Sequence, residues 1–165
     1  MRLLAIDPGS EESAYVVYDL TTRRPVTFNI VNNGQMLGVI ATAGRDDLVK
    51  QCVCEDIESF GMPVGRSVFT TCKWMGQFEL QWKMSLKHWT YITRSEVKIE
   101  LCGSMKAKDS NIRQAIIDKY GETKKKAIGT KKAKGPLYGI KSHVWSALAL
   151  AIVGSKITIR TGVTV

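Results

Sequence analysis

The sequence predicts an α/β fold, a mixed sheet with helices on both of its faces. Three observations predict it. A continuously apolar run, residues 3–6, stops at Asp7-Pro8-Gly9, which is how a buried central strand meets a turn. Two further strand-like runs follow at once, as in an antiparallel meander. From there on, helix-like and strand-like stretches alternate, the mark of a sheet covered by helices.

The meander strands are "SAYVVYDLTT" and "RPVTFNIVNN", flanking a polar connection. Residues 34–50 carry a weaker helical pattern. "QCVCEDIES" then reads as a strand that is apolar until Glu55, and "FGMPVG" as a loop. Val68, Cys72, Met75, Phe78, Trp82 and Leu86 recur at spacings of three and four, predicting a long helix with this stripe in the core. "HWTYITRSEVKIELCG" holds one or two strands. "DSNIRQAIIDKYG" is a helix with Ile112, Ala115, Ile116 and Tyr120 as its stripe, ended by Gly121. Residues 122–141 are expected to form a mobile Lys-rich loop. Ser142 is a plausible cap for a final helix, "HVWSALALAIVG", whose small residues suit close packing. The alternating tail, 156–165, reads as an edge strand or a disordered end.

With 165 residues the chain is about one domain's worth, read as a single domain over 1–165. At 44 % apolar residues it is too hydrophobic for a disordered chain. Four cysteines are too few for a disulfide scaffold, and without a C-x-x-C pair they suit no zinc knuckle. Cys52 and Cys54 alternate within a strand-like run and read as buried thiols on one face. The longest apolar stretch, roughly 11 residues, falls short of the about 20 that span a bilayer. A cytoplasmic protein without membrane association is therefore expected. Its 24 Lys and Arg outnumber its 15 Asp and Glu, giving +9, which points to a polyanionic partner such as nucleic acid. Seven lysines fall between Thr123 and Lys141 with no acid among them.

Asp7 and Glu55 each end a strongly apolar strand. Functional groups collect at strand ends in α/β sheets. Two acids brought together there repel unless a cation sits between them, and Mg²⁺ is commonly held by one or two carboxylates plus substrate phosphates. Two such ions clamp the attacking and leaving oxygens of a phosphodiester. Strand-end acids in a basic chain therefore suggest a metal-dependent nuclease. The plainer alternative makes Asp7 a turn former before Pro8 and Glu55 a surface acid.

At these residues the chain resembles a family. "LLAIDPGSEESAYVVYD" resembles the opening of the RuvC Holliday-junction resolvases, of the RNase H-like superfamily. "VCEDIESFG" is similar to their second motif, "VKIELCGSMKAKD" to their basic segment, and "HVWSALALA" to their final motif. The four elements run in order from residue 1 to about 152, most nearly in the manner of the short phage-type members. The resemblance implies an RNase H-like fold with a five-stranded mixed sheet.

It also implies roles. Asp7 would bridge two Mg²⁺ ions, with Mn²⁺ as a substitute, and Glu55 would ligate one of them. His143 occupies the first position of the final motif, as a metal ligand or a proton acceptor. Ser146 stands where that motif normally has Asp, and a hydroxyl is a poor substitute for a carboxylate. Asp56 falls on the opposite face of the strand from Glu55, which leaves Glu58 as the candidate replacement. Lys98, Lys106 and Lys108 of the basic segment would contact DNA near the cut. Lys124, Lys125, Lys126, Lys131, Lys132, Lys134 and Lys141 would grip the junction arms. Phe60 is the candidate wedge into the junction centre, with a core role equally open; Trp74, Trp82 and Trp145 read as packing residues. The implied partners are branched DNA and a second copy of the chain, paired through the helix around 68–86. The implied activity is paired nicking of four-way junctions. A non-cleaving module of the same fold, suggested by Ser146, and an RNase for structured RNA stay open beside it.

Overall fold

Strand β1 (Arg2–Asp7) lies in the middle of the sheet because its four central residues, Leu3 to Ile6, are apolar on both sides and wholly buried. It pairs antiparallel with β2 (Glu12–Asp19), which pairs antiparallel with β3 (Arg24–Asn32). On its other side β1 pairs in parallel with β4 (Val49–Asp56), which pairs in parallel with β5 (His88–Thr93). The order is β3-β2-β1-β4-β5, a mixed five-stranded sheet. The remaining elements are α1 (Asn33–Arg45), α2 (Arg66–Lys83), α3 (Arg94–Cys102), α4 (Asp109–Gly121), α5 (Lys124–Ala127) and α6 (Val144–Thr161). The computed structural model describes residues 1–59, 61–121 and 123–161.

The two-residue period of the strands divides the core. Leu4, Ile6, Cys52 and Cys54 meet Met36 and Ile40 of α1 and Met75, Phe78 and Trp82 of α2. Leu3, Ala5, Val16, Val53 and Ile92 meet α6, together with Val97, Ile112 and Ile116 of α3 and α4. Helix α6 lies close to the sheet because it is built from Ala147, Ala149, Ala151 and Gly154. A β-carbon at Gly154 would sit 2.7 Å from a methyl of Val53.

Several local expectations are corrected. The first helix ends at Arg45, and β4 begins at Val49. On α2 the buried stripe is Thr71, Met75, Phe78 and Trp82. Cys72 is one residue out of phase and exposed, and Leu86 lies beyond the helix at 95 % exposure. The segment 88–103 is one strand followed by a helix. Thr93 and Glu96 form a reciprocal capping box there, and it starts α3 at Arg94. Residues 123–141 form a packed segment rather than a mobile loop. Thr123 caps α5, Gly129 bridges Lys134, and Ala127 and Leu137 are fully buried. Ser142 has φ +47, outside the extended backbone of a helix cap, and α6 starts at Val144. The tail is helical through Thr161; residues 162–165 lie outside the described residues. Among the described residues no helix is long and apolar enough to cross a membrane.

Candidate active site

The strand period also places the acids. Asp7 continues the series Leu3, Ala5, and Glu55 continues Val53, so both carboxylates leave the sheet on the α6 face. Ile6 is in register with Cys54, and Asp7 and Glu55 lie one step further along these parallel strands. Their side chains are 13 % and 16 % exposed and hydrogen-bonded to each other. Burial pushes Asp7 up to about 6. Burial, then the charge of Asp7, pushes Glu55 up to about 8. Two carboxylates in such a contact hold one proton between them until a cation replaces it.

Three groups adjoin the pair. His143, two-thirds exposed just before α6, sets Nδ1 3.3 Å from Oδ2 of Asp7. Ser146, in the first turn of α6, hydrogen-bonds the Asp7 carboxylate. Arg94, the first residue of α3, brings Nε to 3.9 Å from Glu55, while its Nη2 binds Oδ1 of Asp109 at 2.5 Å. The positive charge of Arg94 lowers both members of the pair, and Asp109 raises both.

The turn behind Asp7 is fixed by groups that carry no charge. The Gly9 N–H donates to Ser13 Oγ, the Ser13 hydroxyl to Asn33 Oδ1, and Asn33 Nδ2 to the Gly9 carbonyl. Gly9 has room for nothing larger, since a β-carbon would lie 2.3 Å from the Glu12 carbonyl oxygen.

The structure thus brings Asp7, Glu55, His143 and Ser146 together. Glu58 is directed elsewhere: its carboxylate accepts the Ser95 N–H at 3.2 Å, in the first turn of α3, where an acid is favoured by the helix. Asp109 is the further acid that reaches this site. Neither Asp109 nor Arg94 was legible in the sequence, because their meeting depends on how α3 and α4 pack. A capping-box reading of Thr93-x-x-Glu96 would have placed Arg94 at a helix start beside β4. Lys98 lies on α3, half-buried, rather than on a strand. Lys106 and Lys108 are exposed in the turn before α4. Lys124, Lys125 and Lys126 on α5, and Lys131, Lys132, Lys134 and Lys141 beyond it, are exposed. Phe60 lies outside the described residues.

Clefts open on both sides of His143. One, of about 330 Å³, is bounded by Asp7, the Pro8–Glu12 turn and Ile30. The other, of about 440 Å³, is bounded by Arg94, Asp109, Arg113, Trp145 and Ser146. The donor set of two carboxylates, an imidazole and a hydroxyl suits a hard divalent cation, and the proton shared by the acids marks where its charge is wanted. Among the described residues no three acid, His or Cys side chains converge tightly enough to enclose an ion. A bound Mg²⁺ would therefore complete its shell with water and phosphate oxygens, as it commonly does.

No family model matches the sequence, and no curated relative matches it. Solved structures do. RuvC from Thermus thermophilus superposes with a TM-score of 0.68 at 16 % identity, over 98 % of this chain and 97 % of that one. T. thermophilus RuvC in complex with a Holliday junction substrate gives 0.72 at the same identity, over 98 % and 96 %. The fold is therefore the RNase H-like fold of RuvC, with helices on both faces of its mixed sheet.

Proposed function

We propose that this chain, acting as one nuclease domain, is a divalent-metal-dependent endonuclease that resolves four-way DNA junctions, and the observation that carries this is the Asp7–Glu55 pair. The two carboxylates share one face of adjacent strand ends, beside His143, in the fold of a Holliday-junction resolvase. Asp7 and Glu55 hold the cation, which when bound supplies Lewis-acid chemistry at the phosphoryl oxygen. Mg²⁺ suits these hard oxygen donors, Mn²⁺ is its substitute, and two ions per site are the full complement. His143 directs Nδ1 at Asp7, which leaves Nε2 to accept a proton from the attacking water. Ser146 donates to Asp7 and orients it. The exposed lysines Lys106 and Lys108 and those of 124–141, with half-buried Lys98, supply sequence-independent attraction to phosphates.

A homodimer fits this activity, since two-fold symmetry matches paired cuts. Its support is the outward side of α2 and the residue after it, where Phe69, Leu80 and Met84 are 58 %, 67 % and 74 % exposed. The motif order accords with the phage-type members, acting in a host cytoplasm.

The test incubates end-labelled four-way junctions with the protein and Mg²⁺ or Mn²⁺, beside Asp7→Asn. Symmetric paired nicks that vanish in the variant while binding persists support the reading. Binding without nicking under either metal favours the non-cleaving module, for which Ser146 in place of a carboxylate is the specific observation. Nicking confined to RNA junctions would replace DNA as the substrate.

A further inference from the structure

The cleft between α3, α4 and the start of α6 is lined by two arginines, Arg94 beside the acid pair and Arg113 apart from it. Arg113 is exposed on α4, with its Cζ 4.7 Å from the centre of the Trp145 indole. Among the described residues it has no carboxylate in ion-pair reach, so the indole face alone orients it. Trp145 is 8 % exposed and therefore a fixed platform. Across the same cleft, Arg94 spends Nε and Nη2 on Glu55 and Asp109, while its buried Nη1 has no acceptor. The pre-oriented guanidinium of Arg113 faces a cavity of about 440 Å³ that shares His143 and Ser146 with the acid pair. An anion with several acceptor oxygens is what such a planar, fixed guanidinium recognises.

We propose that this cleft is a subsite for the backbone phosphate next to the one being cut, held by Arg113 on its Trp145 platform. This deepens the nuclease reading and rests on it. The single carboxylate lining the cleft, Asp109, is paired with Arg94, which reduces its repulsion of an incoming anion.

The test measures binding of a fluorescent four-way junction in EDTA as salt is titrated, using the full chain and Arg113→Gln, Arg113→Lys and Arg45→Gln. Arg45 is exposed at the end of α1, beside the start of β1 and at the opposite end of the sheet. Arg113→Gln is expected to weaken binding about fivefold and to reduce the log–log salt slope by about 0.9, one phosphate's worth. Arg113→Lys should restore the slope but only part of the affinity, because an ammonium lacks the planar fork. Arg45→Gln should stay within about twofold of the parent, being remote from the bound phosphates. Equal losses in Arg113→Gln and Arg45→Gln, or no loss in Arg113→Gln, would overturn the subsite and leave the nuclease reading standing. A parent protein that does not bind the junction would overturn both.

Discussion

The two ends of β1 treat charge in opposite ways. At its start, Arg2 lies 3.8 Å from Asp19 and 4.0 Å from Asp46, cation to anion. Asp19 also accepts the N–H groups of Thr22 and Thr21, which hold its carboxyl below its ordinary range. Five residues on, Asp7 faces Glu55, anion to anion, and both are pushed up. The first end is arranged for stability. The second retains repulsion that a proton or a cation relieves, and the difference separates the part of the strand that holds the fold from the part proposed to do chemistry.

Mutations at the two ends test this contrast. The largest effect is expected from Asp7→Asn, which removes a proposed ligand whose cation would be worth several kcal/mol of transition-state stabilisation. Junction nicking should fall by about 10³-fold, read from initial rates at saturating Mg²⁺. His143→Ala should cost about 10²-fold, the usual worth of a positioned proton acceptor, and should flatten the acidic limb of the pH–rate profile. An unchanged limb would exclude His143 as the base. Ser146→Asp adds a carboxylate beside Asp7 and should lower the Mg²⁺ concentration for half-maximal activity by about tenfold; a rise would show that the hydroxyl is needed as a donor.

The smallest effect separates the ends by sign. Carboxyls raised in the folded state favour the protonated form. Their stabilisation is complete below the ordinary values of 3.8 and 4.5 and is lost as pH rises through about 6 and about 8. Glu55→Gln should therefore raise the thermal midpoint of the metal-free protein at pH 8 by ~2–6 °C, and abolish most of its decline between pH 5 and 8. Arg2→Gln should lower the midpoint at both pH values by ~1–3 °C, since partly exposed pairs contribute about 1 kcal/mol or less. Scanning calorimetry in EDTA reads both. A decrease for Glu55→Gln at pH 8 would mean that the acid pair is not a source of strain.

Much of this was open to the sequence. The alternation within "LLAID" and "QCVCE" already directs Asp7 and Glu55 to one face, provided the strands pair in parallel. The resemblance of the final motif pointed to His143 and Ser146, which the structure sets beside Asp7. What the sequence misjudged was local and explicable. The stretch after β5 is apolar enough to read as a strand, but its capping box turns it into α3. The Lys-rich segment lacks helical periodicity and was read as loose, yet Ala127 and Leu137 anchor it in the core.

Periodicity and turn chemistry are properties of a few neighbouring residues, so the sequence alone determined the strands, the mixed α/β class and the strand-end placement of Asp7 and Glu55. The tertiary structure decided which acid and which cation join that pair. Arg94 and Asp109 are 15 residues apart and lie on different helices, and only the packing of α3 and α4 beside the end of β4 brings both to Glu55. Such contacts depend on distances across the fold, which no local pattern encodes.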